Sequence, residues 1–211
     1  MSQITSGLYR LVGLPGFYQV LQSGLAGPNA HKNLVETIIR PKLGDRILDL
    51  GSGGSAVLEF MPDVDYVGVD ANPRHIEAAQ AKYGKRGRFV VGDAASVPDL
   101  GQDYDLVLML GLLHHLSDEQ ARSALAIAAK VLKPEGRVFT LDPCWSKGQH
   151  WIARFLIGRD SGRMVRDETG YQHLARASFA DVHSVVRHDL LRVPYTHCIL
   201  DGLQPRKGQP A

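Results

Sequence analysis

From Arg46 onward the chain alternates short apolar runs with helical stretches, and that alternation leaves few folds open. "RILDL", "YVGVD", "RFVVGD", "YDLVLML" and "GRVFTLD" are almost continuously apolar, without the every-second-residue polarity of a strand wetted on one face. They read as five buried strands. Between them, "SAVLEFM", "NPRHIEAAQAKYG" and "SDEQARSALAIAAKVL" read as helices. Asn72 is placed to cap the second of these, and Pro73 suits its first turn. Ser117 and Gln120 have capping-box spacing at the start of the third. Strands alternating with helices predict an α/β fold: a doubly wound, mostly parallel sheet with helices on both faces.

After Asp142 the rhythm changes. "CWSKGQHWIARFLIGRDSGRMVRDE" reads as an inserted helix and loop, so that 143–170 forms an insertion in the domain. "TGYQHLARASF" reads as a helix, and "VHSVVRHDLLRV" and "YTHCIL" as two strands joined at Pro194. Such a short join is a hairpin, which makes the last strand antiparallel. The first 40 residues read as two helices, broken around Pro15 and ended by Pro41, and are expected to lie as a lid across the ligand edge of the sheet. The layout expected is a lid over 1–40, one domain over 41–203 and a flexible tail over 204–211, where Pro, Gly and charge accumulate.

A formal net charge of +2 gives no electrostatic case for nucleic acid or for an anionic membrane. The longest nearly apolar run, "LVLMLGLL" at 106–113, is too short to span a bilayer, and "MSQITSGLYR" lacks the basic-then-apolar order of a secretory signal. The two cysteines, Cys144 and Cys198, have no metal-ligand spacing. A reduced, cytoplasmic protein without a metal is the expectation.

The stretch "RILDLGSGGSAVLEF" places a glycine loop after the first strand. A nucleoside triphosphate loop would need a lysine for the phosphates, and none occurs between Lys42 and Lys82. Gly51-Ser52-Gly53-Gly54-Ser55-Ala56 does fit the dinucleotide pattern G-x-G-x-x-A, with Asp70 at the ribose position. Asp49 argues against a dinucleotide, because a carboxylate at the end of the first strand would repel a pyrophosphate. It suits a ligand that presents an amino group and positive charge. Asp70 ends the second strand, where its acceptor-only carboxylate can take two ribose hydroxyls. Asp93 ends the third and is placed for an adenine amino group, with Ala94 beside it as a backbone donor; Asp105 opens the fourth.

"ILDLGSGGS", "YVGVDANP", "VGDA", "DLVLMLGLLHHL" and "VLKPEGRVFTLDP" together resemble the class I S-adenosylmethionine-dependent methyltransferases, from about Leu43 to Leu200. The last two stretches look most like the small-molecule branch that includes the quinone C-methyltransferases. The resemblance implies a seven-stranded sheet with its last strand antiparallel and S-adenosyl-L-methionine as cofactor, released as S-adenosyl-L-homocysteine. The implied cofactor residues are Asp49, Gly51, Ser52, Gly53, Asp70, Ala71, Asn72, Asp93, Ala94, Leu110 and His115, with Tyr9 from the lid. One departure stands out. Ser55 occupies the family's third loop glycine, and Gly54 is expected to move the flexibility one place earlier.

Past the fourth strand, His115 is the expected base for an acceptor that must lose a proton, with Tyr195 and His197 as further catalytic candidates. His114, Trp145, Arg154, Arg159, Arg163, Arg192 and Tyr195 are expected to line the acceptor. Clustered arginines there would suit a carboxylate or phosphate on a small molecule. Two other functions stay open at this point: methylation of RNA, and a protein that keeps the cofactor fold without methylating. RNA is disfavoured because "LGLLHH" stands where amino-directed nucleic-acid enzymes carry Asn or Asp-Pro-Pro-aromatic.

Overall fold

A computed structural model describes residues 29–94, 100–160, 162 and 164–206. Among the described residues there are eight strands: β1 (Arg46–Leu50), β2 (Asp65–Asp70), β3 (Gly87–Val91), β4 (Tyr104–Leu110), β5 (Leu132–Trp145), β6 (Arg166–Asp167), β7 (Phe179–Arg187) and β8 (His197–Pro205). Seven lie in the order β3-β2-β1-β4-β5-β8-β7, and β6 pairs with β5 off this path. β3, β2, β1, β4 and β5 run parallel; β8 is antiparallel to both β5 and β7. The mostly parallel sheet with an antiparallel last strand follows the sequence expectation.

Side chains of β1 alternate between two cores. Leu48 and Leu50 join Val67, Val69, Val107, Met109 and Val138 on one face. α3 (Asp118–Val131) and α5 (Glu168–Arg176) cover that face with Ala121, Ala124, Leu125, Leu174 and Ala175. Ile47 joins Tyr66, Leu106, Leu108 and Phe139 on the other, under Val35, Ile39, Val57, Leu58 and Tyr83. These last come from α1 (Ala30–Asn33) with its π-helical continuation Leu34–Ile39, a 3-10 stretch Ala56–Phe60, and α2 (Pro73–Tyr83). Arg137 donates to the Asp201 carboxylate and the Ile39 carbonyl, tying the π turn to the sheet.

The predicted caps are in place. Asn72 Oδ1 accepts from the Arg74 N–H at 3.1 Å with Pro73 in the first turn, and Ser117 and Gln120 bond reciprocally at the start of α3. Several expectations need correction. β3 is an edge strand paired only with β2, and Val91 is 53% exposed, so this run is not buried. "SAVLEFM" forms the 3-10 stretch instead of an α-helix. β7 ends at Arg187, and 188–196 is a connection containing Pro194, not a tight join. β8 runs to Pro205, taking in two residues expected in the tail. Asp105 lies at the opposite edge of the sheet from the strand ends that carry the glycine loop. It accepts from the Arg46 N–H at 2.9 Å and the Lys133 ammonium at 2.6 Å, a structural role. The expected lid falls mostly outside the described residues, including Tyr9, Arg10 and Tyr18.

Candidate active site

The sheet order reverses between β1 and β4, and the crevice outside the carboxyl ends of strands at such a switch point is where open α/β sheets bind ligands. The glycine loop leaves β1 into that crevice. It is pinned to β2, since the N–H groups of Gly51 and Ser52 both donate to the Val69 carbonyl, at 2.8 and 2.9 Å. Gly51 and Gly53 take positive φ, and a Cβ on Gly51 would lie 2.8 Å from Leu112 Cδ1. The next left-handed residue is Ser55, at φ 54°, while Gly54 stays outside that region. The flexibility is therefore not moved to Gly54: Ser55 itself adopts a left-handed conformation that favours glycine, at a cost of about 1 kcal/mol.

By strand alternation Asp49 falls on the face of Ile47 and Tyr66, and it is 1% exposed. Tyr66 donates its hydroxyl to Asp49 Oδ2 at 2.6 Å, whereas Asp49 Oδ1 and Ser52 Oγ are buried without a hydrogen-bond partner among the described residues. Burial raises the Asp49 pKa to about 7; the Tyr66 hydrogen bond opposes this and the charge of Asp70 adds to it. An orphaned carboxylate oxygen at this depth costs free energy unless a donor reaches it. The amino group of an amino-acid tail is such a donor, so the residues fit the expected cofactor.

Asp70 is held from three directions. Its Oδ2 accepts from the Gly53 N–H at 2.8 Å, and its Oδ1 from the Asn72 N–H at 2.8 Å with His75 Nδ1 at 3.1 Å. A carboxylate offers about four lone-pair sites, which leaves capacity towards the crevice. Ala71 and Asn72 are exposed behind it, Leu110 is half-buried at the end of β4, Asp93 is exposed past β3, and Ala94 is buried.

The His114–His115 turn follows β4, and the structure separates the two rings. His114 is buried and its Nδ1 lies 2.8 Å from Asp142 Oδ1, with Nε2 3.7 Å from Asp160 Oδ1. Burial alone would lower its pKa, but hydrogen bonds to Asp142 and Asp160 and their charges outweigh it and raise the value to about 9. His114 is thus a fixed cation between two carboxylates. His115 is exposed, with its ring 4.0 Å from that of His114; packing and the charge of His114 lower its pKa and keep it a neutral imidazole. Tyr195 donates to Asp160 Oδ2 at 3.0 Å and its ring lies 4.8 Å from that of His197. His197 is buried with Nδ1 unpartnered, and burial followed by the His114 charge lowers its pKa to about 4. His114, Tyr195 and His197 therefore form one cluster, joined by Asp142 and Asp160.

The arginines of the insertion do not converge. Arg154 lies over the half-buried Trp145 at 6.0 Å, and Arg159 over Phe155 at 4.4 Å. Arg163 lies outside the described residues. Arg166, also in the insertion, donates to Asp118, Leu113 O, Leu116 O and Met164 O, at distances of 2.6–2.9 Å. It clamps the His114–His115 turn from both sides. Arg192 instead borders a cavity of about 360 Å³ between 148–153 and 188–196, together with Tyr195.

Sequence reasoning missed Tyr66, Asp142 and Asp160. Tyr66 carried a signal in retrospect, as it stands on the same face as Asp49 in the neighbouring strand. Asp142 and Asp160 resemble ordinary strand-end and turn acids, and only the fold brings them to His114.

Residues 47–136 match the methyltransferase domain family. The chain is similar to the uncharacterized methyltransferase YcgJ of Bacillus subtilis, 36% identical over 103 residues, which cover 46% of this chain and 40% of the relative. It is also similar to the ubiquinone biosynthesis O-methyltransferase of Bartonella bacilliformis, 29% identical over 131 residues, covering 56% and 52%. The chain spans about half the length of these relatives. Among solved structures, YcgJ superposes with a TM-score of 0.63 at 20% identity over 86% of this chain and 100% of that one. A TehB-like S-adenosylmethionine-dependent methyltransferase from Corynebacterium glutamicum gives 0.65 at 16% over 94% and 100%. With an acid-tipped glycine loop at the switch point and a sheet of this order, the chain shares its fold with these solved methyltransferases, and its residues 47–136 match the methyltransferase domain model.

Proposed function

We propose that this chain is an S-adenosylmethionine-dependent methyltransferase acting on O, N or C of a small-molecule acceptor in the cytoplasm, and that the acceptor bears a carboxylate or phosphate. The observation that carries the reading is Asp49: a buried carboxylate with one oxygen unpartnered, at the mouth of a glycine loop with no lysine for phosphate. Bound there, S-adenosylmethionine supplies a methyl group on a sulfonium, an electrophile with its leaving group already installed.

The chain's own residues bind, orient and manage a proton. Asp49 receives an amino group, and Asp70, fixed by Gly53, Asn72 and His75, receives ribose hydroxyls. Asp93 and Ala94 attend the base. Holding an acceptor in line with the methyl supplies much of the rate, about 7–11 kcal/mol in favourable cases. His115, kept neutral beside a charged His114, takes the proton of an acceptor hydroxyl or amine. His114 has both nitrogens turned to carboxylates, which suits it to hold the turn and not to act as a base. Tyr195 commits its proton to Asp160, so its phenol oxygen can accept from the acceptor.

Calorimetry with S-adenosylmethionine, S-adenosylhomocysteine and NADH tests the cofactor. The two sulfur ligands are expected to bind and NADH not to, with Asp70→Ala weakening binding by about tenfold. Labelled methyl should then pass to a small-molecule fraction of a cell extract. NADH binding alone would replace the reading with an oxidoreductase, label in RNA would move the acceptor, and cofactor binding without transfer to any fraction would leave a non-methylating protein.

A further inference from the structure

The cavity of about 360 Å³ beside Tyr195 is lined by Gln149, His150, His188, Arg192 and Thr196 on its polar side, and by Ala153, Leu191, Val193 and Pro194 on its apolar side. Internal hydrogen bonds decide what its polar groups have left to offer. Gln149 Oε1 is used by the Ser146 N–H at 2.9 Å, which turns its amide nitrogen to Cys144 O and Thr196 Oγ1, at 3.4 and 3.3 Å. Thr196 Oγ1, which accepts from Gln149, also lies 3.1 Å from His188 Nδ1. His150 Nδ1 accepts from the Ile152 N–H at 3.1 Å, which leaves its N–H on Nε2.

The cavity therefore has an imidazole N–H from His150, the imidazole of His188 and the Arg192 guanidinium, with no carboxylate among its described lining residues. Nearby acids are engaged elsewhere: Asp189 with Arg187 at 2.7 Å, and Asp160 with Tyr195 and His114. Arg192 forms no ion pair among the described residues. We propose that this cavity is the seat of an anionic group, carboxylate or phosphate, on an acceptor with a compact apolar or aromatic body. Arg192, His150 and His188 grip the anion, while Leu191, Val193 and Pro194 cover the body. The inference rests on the methyl-transfer reading only for what the ligand is used for; the binding chemistry stands by itself.

The test uses the full chain with three probes of one size: benzoate, phenyl phosphate and neutral benzyl alcohol, each followed by ligand-observed NMR with and without S-adenosylhomocysteine. At least one anionic probe is expected to bind about tenfold more tightly than benzyl alcohol, and which one does so separates carboxylate from phosphate. Arg192→Gln should weaken that probe by about fivefold, and Arg154→Gln, which rests over Trp145 and does not line the cavity, should leave it unchanged. S-adenosylhomocysteine binding by both variants, read in the same samples, establishes that they fold. Equal binding of all three probes, or an unaffected Arg192→Gln protein, overturns the proposal. Anion binding without S-adenosylhomocysteine binding keeps the cavity and removes the methyl-transfer reading; the reverse result keeps the reading and removes the cavity.

Discussion

On the proposed reading, Asp49 couples ligand binding to protonation. Its pKa stands near 7 in the folded chain against 3.8 for the ordinary carboxyl, so the folded state holds a proton that the unfolded state has lost between those values. Stability from this group is complete below about 3.8 and is lost as pH rises through 7. Asp49→Asn removes the penalty, and thermal melts at pH 8 should show a rise of about 5 °C, shrinking towards pH 5. The same variant should bind S-adenosylhomocysteine at least about tenfold more weakly by calorimetry, because the amide offers no charge to the amino group. The histidines separate just as sharply. An NMR titration should find His114 losing its proton near pH 9 while His197 stays neutral down to about 4.

Among the elements, the turn after β4 depends on a residue far along the chain. Arg166 reaches the carbonyls of Leu113 and Leu116 and the carboxylate of Asp118 with one guanidinium fork. Lysine has neither the fork nor the number of donors, so Arg166→Lys should cost about 2 kcal/mol in denaturant unfolding and lower turnover through a displaced His115. The segment above the turn is just as tight. A Cβ at Gly162 would fall 1.9 Å from the His114 ring, and Gly162→Ala should destabilise by about 1–3 kcal/mol in the same unfolding measurement. Elements whose information is local were legible from the sequence. The runs "RILDL" and "YDLVLML" and the Ser117–Gln120 box announced themselves because neighbours a few residues apart determine them. The clamp by Arg166 was not legible, because its partners lie about 50 residues away. β3 was misread as buried because an apolar run does not say whether a strand stands at an edge.

At the scale of the molecule, three buried ionisable groups shape stability in different pH ranges. His114, with its pKa raised to about 9, contributes fully below 6.5 and loses that contribution as pH rises through 9. His197, lowered to about 4, contributes above 6.5 and loses it as pH falls through 4. The melting temperature should accordingly drop between pH 7 and 10, and drop less over that interval in His114→Asn. S-adenosylhomocysteine at about 100 times its dissociation constant should add roughly 2.7 kcal/mol, giving a melting temperature that climbs with ligand concentration. The glycine loop and its acids could be read without a structure because each sits at the end of a strand. The His114 cluster could not, since Asp142 and Asp160 meet it only when β5 and the insertion fold over the turn.

The reversal of strand order at β1 and β4 also divides the labour of change. Asp49, Asp70 and the glycine loop stand on the β1–β2 side, whereas the cavity wall 188–196 is one surface connection between β7 and β8. A lineage can rewrite that connection without disturbing the residues proposed to hold the methyl donor. On that reading, acceptor preference is inherited separately from the chemistry, and a new specificity lies one loop exchange away from an old one.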